Sequence, residues 1–445
     1  MSGAALPDRR LAARGVLWGG VENAAAAIVG LLLTPLVVRV SGIEGLGLWG
    51  AAWSLAHAAG VFDLGVASAY ARFAARAIAL RDIPSLNRTL GAGAGFYLLL
   101  AAIVGASLLA AGPRLIDLTA PSAGVRETAP WVGGGALLTV LLRAVLSGYR
   151  GVVAGAQRLD LLGRIGGAAA ILEGAGAAAC LLSGLGLRGM AINSVVAALA
   201  VSVAEAITAH RLCPGLRILP FRTGAAEARE ILWFGTRLQA TRAAEVLGDH
   251  VPRLVLSFGA GLQAAGIYDL GARLAGLLRV AGRLPLPVIQ PLASRLEALG
   301  EAGRIGTVLR HATRFVALLV LPAAALVLLD APALLAAWTG SAQAAAVPGA
   351  RFLAAALALT LILSPARLML RGMGYPGVEA IASGSGAVVH LGLALLLAPR
   401  FGPAGVAAAA LAAAFGAGAI LLAGARRVRA PLPVELLRPA LAGPA

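Results

Sequence analysis

Ile231-Leu-Trp-Phe-Gly-Thr-Arg-Leu-Gln-Ala-Thr-Arg242-Ala-Ala-Glu245-Val-Leu-Gly-Asp249-His-Val-Pro252-Arg253-Leu-Val-Leu-Ser-Phe258 decides how the rest of the chain is read. At about 100° per residue, Arg242, Glu245, Asp249 and Arg253 fall within an arc of roughly 80° on one helix face. Lipid does not accept ionisable groups at bilayer depth unless they face protein or water. The stretch therefore predicts a membrane span with a polar side, and a polar interior in a many-span protein points to a pathway. With Arg253 about 13 Å and Arg242 about 30 Å from an outer end near residue 262, Arg242 can reach the cytoplasmic interface by snorkelling. Glu245, Asp249 and Arg253 belong to the interior, either pairing one turn apart against another helix or lining a cavity. Pro252 removes one backbone donor and is expected to bend the helix there.

Outward from this stretch the composition excludes an ordinary soluble enzyme. Hydrophobic residues make up 59% of the 445, and the mean hydropathy is +0.87. Apolar runs of about 20 residues, each long enough to cross a hydrocarbon core of roughly 30 Å, recur along the whole length. Spans are expected near 15–39, 46–71, 90–111, 130–153, 164–184, 189–210, 231–258, 264–284, 314–337, 350–371, 378–398 and 403–424. The net charge is +17, all 37 basic residues being Arg, a pattern that reflects codon bias as well as function. A nucleic-acid partner would need a basic patch on a soluble module, and no such module is left over. Cys180 and Cys213 do not make a disulfide framework, and neither a metal site nor a cofactor site is expected.

Charge asymmetry between alternate loops sets the orientation. With the N-terminus in the cytoplasm, 24 arginines lie in cytoplasmic segments, against six on the other side: Arg39, Arg114, Arg126, Arg188, Arg351 and Arg400. Codon bias cannot distribute arginine this way, so both termini are placed in the cytoplasm. The expected organisation is a cytoplasmic tail (1–14), an N-terminal lobe of six spans (15–212), a cytoplasmic linker (213–230), a C-terminal lobe of six spans (231–424) and a cytoplasmic tail (425–445). Internal repeats support the even split. Gly186-Leu-Arg-Gly189-Met-Ala191 returns as Gly402-Pro-Ala-Gly405-Val-Ala407. Phe62-Asp63-Leu-Gly65 is echoed by Tyr268-Asp269-Leu-Gly271, and Val16-Leu-Trp18 by Ile231-Leu-Trp233. Two six-helix lobes of one orientation, related by a pseudo-two-fold along the membrane normal, make the predicted fold an all-α integral membrane protein.

Further ionisable groups sit at membrane depth. Arg273 and Arg279 on span eight suggest an anionic ligand, because guanidinium stays charged when buried and its fork suits phosphate oxygens. Asp269 is the one carboxylate a turn from Arg273. Glu22 and Asp63 either pair with arginines or bind a coupling proton or Na⁺. Glu173 and Glu205 read as structural helix–helix bonds, and Arg143 and His390 carry no assigned role. No enzyme constellation is present: Gly91-Ala-Gly93-Ala-Gly95 lacks the strand–turn–helix context of a phosphate loop.

The chain resembles the bacterial polysaccharide flippases of the multidrug/oligosaccharidyl-lipid/polysaccharide exporter superfamily over nearly its whole length. The resemblance rests on Thr34-Pro35-Leu-Val-Val-Arg39, Gly42-Ile-Glu-Gly45-Leu-Gly47-Leu-Trp49 and Phe62-Asp-Leu-Gly65-Val-Ala-Ser-Ala-Tyr-Ala-Arg72. In the second half it rests on Phe234-Gly235, Asp249, Gly266-Ile-Tyr268, Gln290-Pro291-Leu-Ala-Ser294-Arg295, Trp338-Thr-Gly340 and Gly402-Pro-Ala-Gly405-Val-Ala. It implies a central cavity lined by spans one, two, seven and eight, alternating access, and a substrate built on undecaprenyl diphosphate. Asp249 matches an acidic position typical of span seven, and Arg39 and Arg72 match recurrent helix-end positions.

The expected function is flipping of a lipid-linked oligosaccharide across the bacterial inner membrane, without catalytic residues. Arg242, Arg253, Arg273 and Arg279 are the expected diphosphate-binding residues. Glu22, Asp63, Glu245 and Asp249 are expected to couple transport to H⁺ or Na⁺, or to balance charge. The expected partners are the substrate, membrane lipids and glycosyltransferase or polymerase machinery, with the protein itself monomeric. Two alternatives stand beside this one. A cation-coupled multidrug antiporter would favour carboxylates and aromatics over mid-membrane Arg, and a membrane-embedded glycosyl-transfer enzyme would need catalytic residues in a sizeable loop.

Overall fold

Within hydrocarbon a backbone donor or acceptor is satisfied only inside its own helix or in a closed sheet. The apolar runs accordingly form helices, and the computed structural model has only helices as regular elements among its described residues. The structure describes residues 9–60, 65–220, 250–282, 289–341 and 343–428, with isolated positions at 229, 231, 233, 246, 248 and 286. The chain divides into two compact units, Met1–Val246 and Leu247–Ala445.

The first unit contains α1 (Arg9–Ala59), α2 (Val66–Leu80), α3 (Ile83–Leu118), α4 (Ala123–Val145), α5 (Ser147–Gly155), α6 (Leu159–Leu182) and α7 (Gly186–Leu212). The second contains α8 (Val251–Gly259), α9 (Gly261–Gly282), α10 (Ile289–Ala298), α11 (Ala302–Thr339), α12 (Val347–Gly372) and α13 (Pro376–Arg427). Eight of these helices are long and apolar enough to cross a membrane. Two of the eight are hairpins: α1 is kinked at Gly42 (φ 71°) and α13 at Gly402 (φ 55°), so each carries two spans. Adding α9, whose Asp269, Arg273 and Arg279 lower its hydropathy, accounts for eleven of the twelve expected spans. The twelfth, 231–258, lies mostly outside the described residues. Side chains such as Leu17, Leu109, Leu318 and Leu329 are largely exposed, the reverse of a soluble fold, and the chain is a multi-pass membrane protein.

The repeat seen in the sequence has a physical cause. Gly186 and Gly402 both take positive φ, which only glycine adopts without strain, and turn the chain between two helices. The second glycine of each motif lets those helices close. A Cβ on Gly189 would stand 2.6 Å from the Leu185 Cβ and 2.9 Å from the Cys180 Cβ; one on Gly405 would stand 2.7 Å from the Leu397 carbonyl oxygen. Within the first unit, α1 and α6 approach by the same means. A Cβ on Gly163 would meet the Trp18 backbone at 2.6 Å, and one on Gly174 would meet Val29 at 2.4 Å. Arg164 of α6 covers the Trp18 ring at 4.9 Å, a cation–π contact that holds the same seam.

Several spans differ from expectation in continuity. In span two, α1 ends at Ala59 and α2 starts at Val66 behind a left-handed Gly65 (φ 72°), with 61–64 outside the described residues. Span four breaks at Leu146 into α4 and α5. In span seven, Pro252 does not bend a continuous helix. It lies in the first turn of α8, where its missing N–H would have had no helical partner anyway. Hydropathy is blind to the break at Leu146 because the residue there is itself apolar.

At the end of α7, Cys213 is buried, and burial pushes its thiol pKa above the ordinary value. The thiolate is the nucleophile, so a raised pKa leaves less of it at neutral pH. Maleimide labelling of Cys213 at pH 7.5 should therefore be at least tenfold slower in the folded protein than after denaturation. Equal rates in the two states would contradict this placement.

Candidate functional site

The turn at Gly261 (φ 85°) folds α8 back against α9 and decides which polar side chains meet. Arg253 and Asp269 lie equally far from that turn, about 12 Å along their helices. The Arg253 Nε donates to Asp269 Oδ1 at 2.6 Å. One turn further on α9, the Arg273 Nε donates to Asp269 Oδ2 at 2.8 Å. Each carboxylate oxygen is thus claimed by a different guanidinium. Asp269 is 2% exposed, whereas the side chains of Arg253 and Arg273 keep 22% and 30% of their surface. One carboxylate against two guanidinium groups leaves a formal charge of +1 on these three side chains.

The supports of this cluster are packed, not flexible. Ser257, fully buried, donates its hydroxyl to the Arg253 carbonyl at 2.8 Å. Behind Asp269, Gly271 brings α9 against α12 so closely that a Cβ there would stand 2.9 Å from the Ala350 nitrogen. A larger residue at 271 would push α9 off α12 and carry Asp269 with it. Tyr268 and Leu270, the neighbours of Asp269, are both buried.

The first unit holds a cluster of opposite sign. Arg150 of α5 donates to Glu205 of α7 at 2.8 Å, and the Glu22 carboxylate of α1 stands 4.0 Å from the same guanidinium. Glu205 is 4% exposed. Two carboxylates against one guanidinium give −1. Glu22 fits because residue 166 is glycine: a Cβ there would overlap the carboxyl group at 2.3 Å. Glu173, by contrast, accepts from the Ser194 hydroxyl at 3.0 Å and ties α6 to α7, a structural bond of the kind its lone position suggested.

Of the residues expected to bind the diphosphate, the structure brings Arg253 and Arg273 together. Arg279 lies about 9 Å further along α9, half-buried and outside the Asp269 pair. Arg242 and the acidic candidates Asp63, Glu245 and Asp249 lie outside the described residues. Glu22, the remaining acidic candidate, is near Arg150 of its own unit. The organising residue of each cluster, Asp269 or Arg150, was not among the expected site residues. Asp269 announced itself as the carboxylate one turn before Arg273 and as part of the repeat with Asp63, and Arg150 as one of many arginines near a span end.

Residues 138–348 match the family model described as polysaccharide biosynthesis protein. The matched segment includes Arg150, Glu205, Arg253, Asp269 and Arg273, hence most of both clusters. No curated protein matches the chain. Among solved structures, an inward-facing multidrug resistance MATE family transporter of the MOP superfamily superposes with a TM-score of 0.68 at 17% identity, covering 92% of this chain and 94% of that one. The chain shares the fold of this transporter. A MOP superfamily transporter from Pyrococcus furiosus gives a TM-score of 0.64 at 17% identity, covering 94% and 95%. The Vibrio cholerae MATE transporter VcmN gives 0.63 at 17%, covering 94% and 98%. The expected resemblance to a polysaccharide family is met over residues 138–348, and the fold is the one these transporters share.

Proposed function

We propose that this protein flips a lipid-linked oligosaccharide, carried on undecaprenyl diphosphate, across the bacterial inner membrane by alternating access, with both termini in the cytoplasm. The observation that carries the reading is the Arg253–Asp269–Arg273 cluster, two part-exposed guanidinium groups sharing one buried carboxylate at membrane depth. Part-exposed guanidinium groups at that depth suit an anion. Guanidinium matches the oxygens of a diphosphate in geometry and charge. Each pairing also strips water from both partners, so the net gain per contact is modest and several contacts are needed. The match of residues 138–348 to a polysaccharide biosynthesis model supports a sugar-bearing substrate. Release on the far side requires the two access states to differ in affinity. Glu22, with Asp63, Glu245 and Asp249, is the candidate for an H⁺- or Na⁺-linked difference. Glycosyltransferase and polymerase machinery would supply and consume the substrate, and the protein would act as a monomer.

The fold is shared with multidrug transporters, so the rival reading is a cation-coupled antiporter. Two arginines whose side chains keep 22% and 30% of their surface suit an anionic substrate better than a cationic one. Reconstitution into vesicles decides between the two. The parent protein should move a labelled undecaprenyl-diphosphate sugar, and Arg253→Ala together with Arg273→Ala should lower the rate at least tenfold. Full activity in that double variant would sink the diphosphate assignment. Accumulation of a lipophilic cation under a proton or Na⁺ gradient, with no movement of the lipid-linked sugar, would establish the rival.

A further inference from the structure

A second basic cluster lies away from Asp269, where α11 packs on α12. An Arg351 terminal nitrogen donates to the Leu329 carbonyl at 3.3 Å, which fixes the register of the two antiparallel helices. From that contact, Leu329 back to Arg314 and Arg351 on to Arg367 are both runs of roughly 23 Å. Arg314 and Arg367 therefore sit at one level, with Arg310 a turn further towards the same end. Packing agrees: Leu309 belongs to one buried cluster with Leu363, Ala366 and Leu370, and Val308 and Ala312 pack against it.

Four buried polar atoms near this level are unsatisfied. Arg310 Nε, Thr313 Oγ1, Arg314 Nε and Arg367 Nε are all buried without a hydrogen-bond partner. Nine such atoms occur among the described residues, so four of them fall on two facing stretches of helix. The charged neighbour of Arg367 is Glu379, and both of its carboxylate oxygens are already taken by Arg371 at 2.8 and 2.6 Å. Glu301, at the start of α11, accepts from Arg304 at 2.6 Å. Three half-buried arginines thus lie within about one turn of a common level, and the carboxylates of Glu379 and Glu301 are engaged with other arginines. Buried donors without partners are costly unless a ligand supplies acceptors. Their place, a few turns inside the start of α11 and the end of α12, is the depth of lipid headgroups if these are the cytoplasmic ends.

We propose that Arg310, Arg314 and Arg367 form a binding site for a phosphate-bearing anion, either the phosphodiester of an anionic lipid headgroup or a soluble phosphate. A tetrahedral phosphate offers enough oxygens to accept from more than one guanidinium fork at once. The apolar stems of the arginines stay packed along α11 and α12 while their heads meet the anion.

The test uses the full chain in phosphatidylcholine nanodiscs. One arm raises the phosphatidylglycerol fraction and counts retained lipid by native mass spectrometry; the other titrates inorganic diphosphate by calorimetry. R314Q/R367Q should weaken whichever anion binds at least tenfold. The control R426Q/R427Q, which removes as much charge from the exposed end of α13, should not. R314K keeps the charge and the packing stem but loses the fork, and should fall between parent and double variant even if the latter folds poorly. Loss in the lipid arm assigns a headgroup, and loss in the diphosphate arm assigns a soluble phosphate. Equal binding by parent, R314K and R314Q/R367Q, or equal loss in the control, overturns the site as mere surface attraction. Retained binding in Arg253→Ala/Arg273→Ala keeps this result separate from the transport reading.

Discussion

Asp269→Asn should destabilise the second unit more than any other single polar substitution in it, by about 3–5 kcal/mol. The amide keeps the shape of the carboxylate and removes its charge. Arg253 and Arg273, which give their Nε donors to that group at 2.6 and 2.8 Å, are then left with like charges close together. Arg273→Gln should cost less, because the carboxylate keeps Arg253 and the substituted side chain is already 30% exposed. Adding Arg273→Gln to Asp269→Asn should recover part of the loss, since it removes one of the two like charges. Groups in one ion-pair network are not additive, and a double-mutant cycle isolates their coupling. Thermal unfolding in a mild detergent, followed by circular dichroism, reads all four proteins. An Asp269→Asn protein within about 1 kcal/mol of the parent would show that the arginines do not depend on this carboxylate.

The fold was legible in the sequence wherever a signal repeated along the chain. Apolar runs gave the spans, and the glycine pairs 186/189 and 402/405 marked two hairpins whose tightness the structure explains atom by atom. What stayed hidden was anything set by one backbone torsion. Gly42 and Gly402 each let a single unbroken run of helical residues hold two spans, while Leu146 divides one span into two helices, and none of the three alters hydropathy. The site was half legible for the same reason. Arg273 and Asp269 are one turn apart on a single helix, so their pairing follows from spacing. That Arg253 completes the cluster depends on the turn at Gly261, which brings residues on two helices to one depth. Glu22 shows the opposite limit. From spacing alone it had several basic candidates; the glycine at 166 and the approach of α1 to α6 bring it near Arg150.

Arg150→Ala is the second substitution with a large expected effect, and its sign follows from the charge count in the first unit. The wild-type cluster has one guanidinium for Glu205 at 2.8 Å and Glu22 at 4.0 Å. Removing Arg150 strands the Glu205 carboxylate, 4% exposed, with a like charge nearby, at a cost of about 3–5 kcal/mol. The two carboxylates should differ in what their own removal does. Glu205→Gln takes the charge from the short hydrogen bond but leaves Arg150 with Glu22, so its cost should be smaller, about 1–3 kcal/mol. Glu22→Gln touches a longer contact between part-exposed groups, 39% and 30% of their surface being free, and should change stability by less than about 1 kcal/mol. Arg150→Ala with Glu205→Gln should be more stable than Arg150→Ala alone, because the stranded charge is gone. If the double variant is instead the less stable, Arg150 contributes through packing between α5 and α7, not through charge. Because Glu22 adds little to stability, any large loss of transport in Glu22→Gln would have to arise in the transport cycle itself.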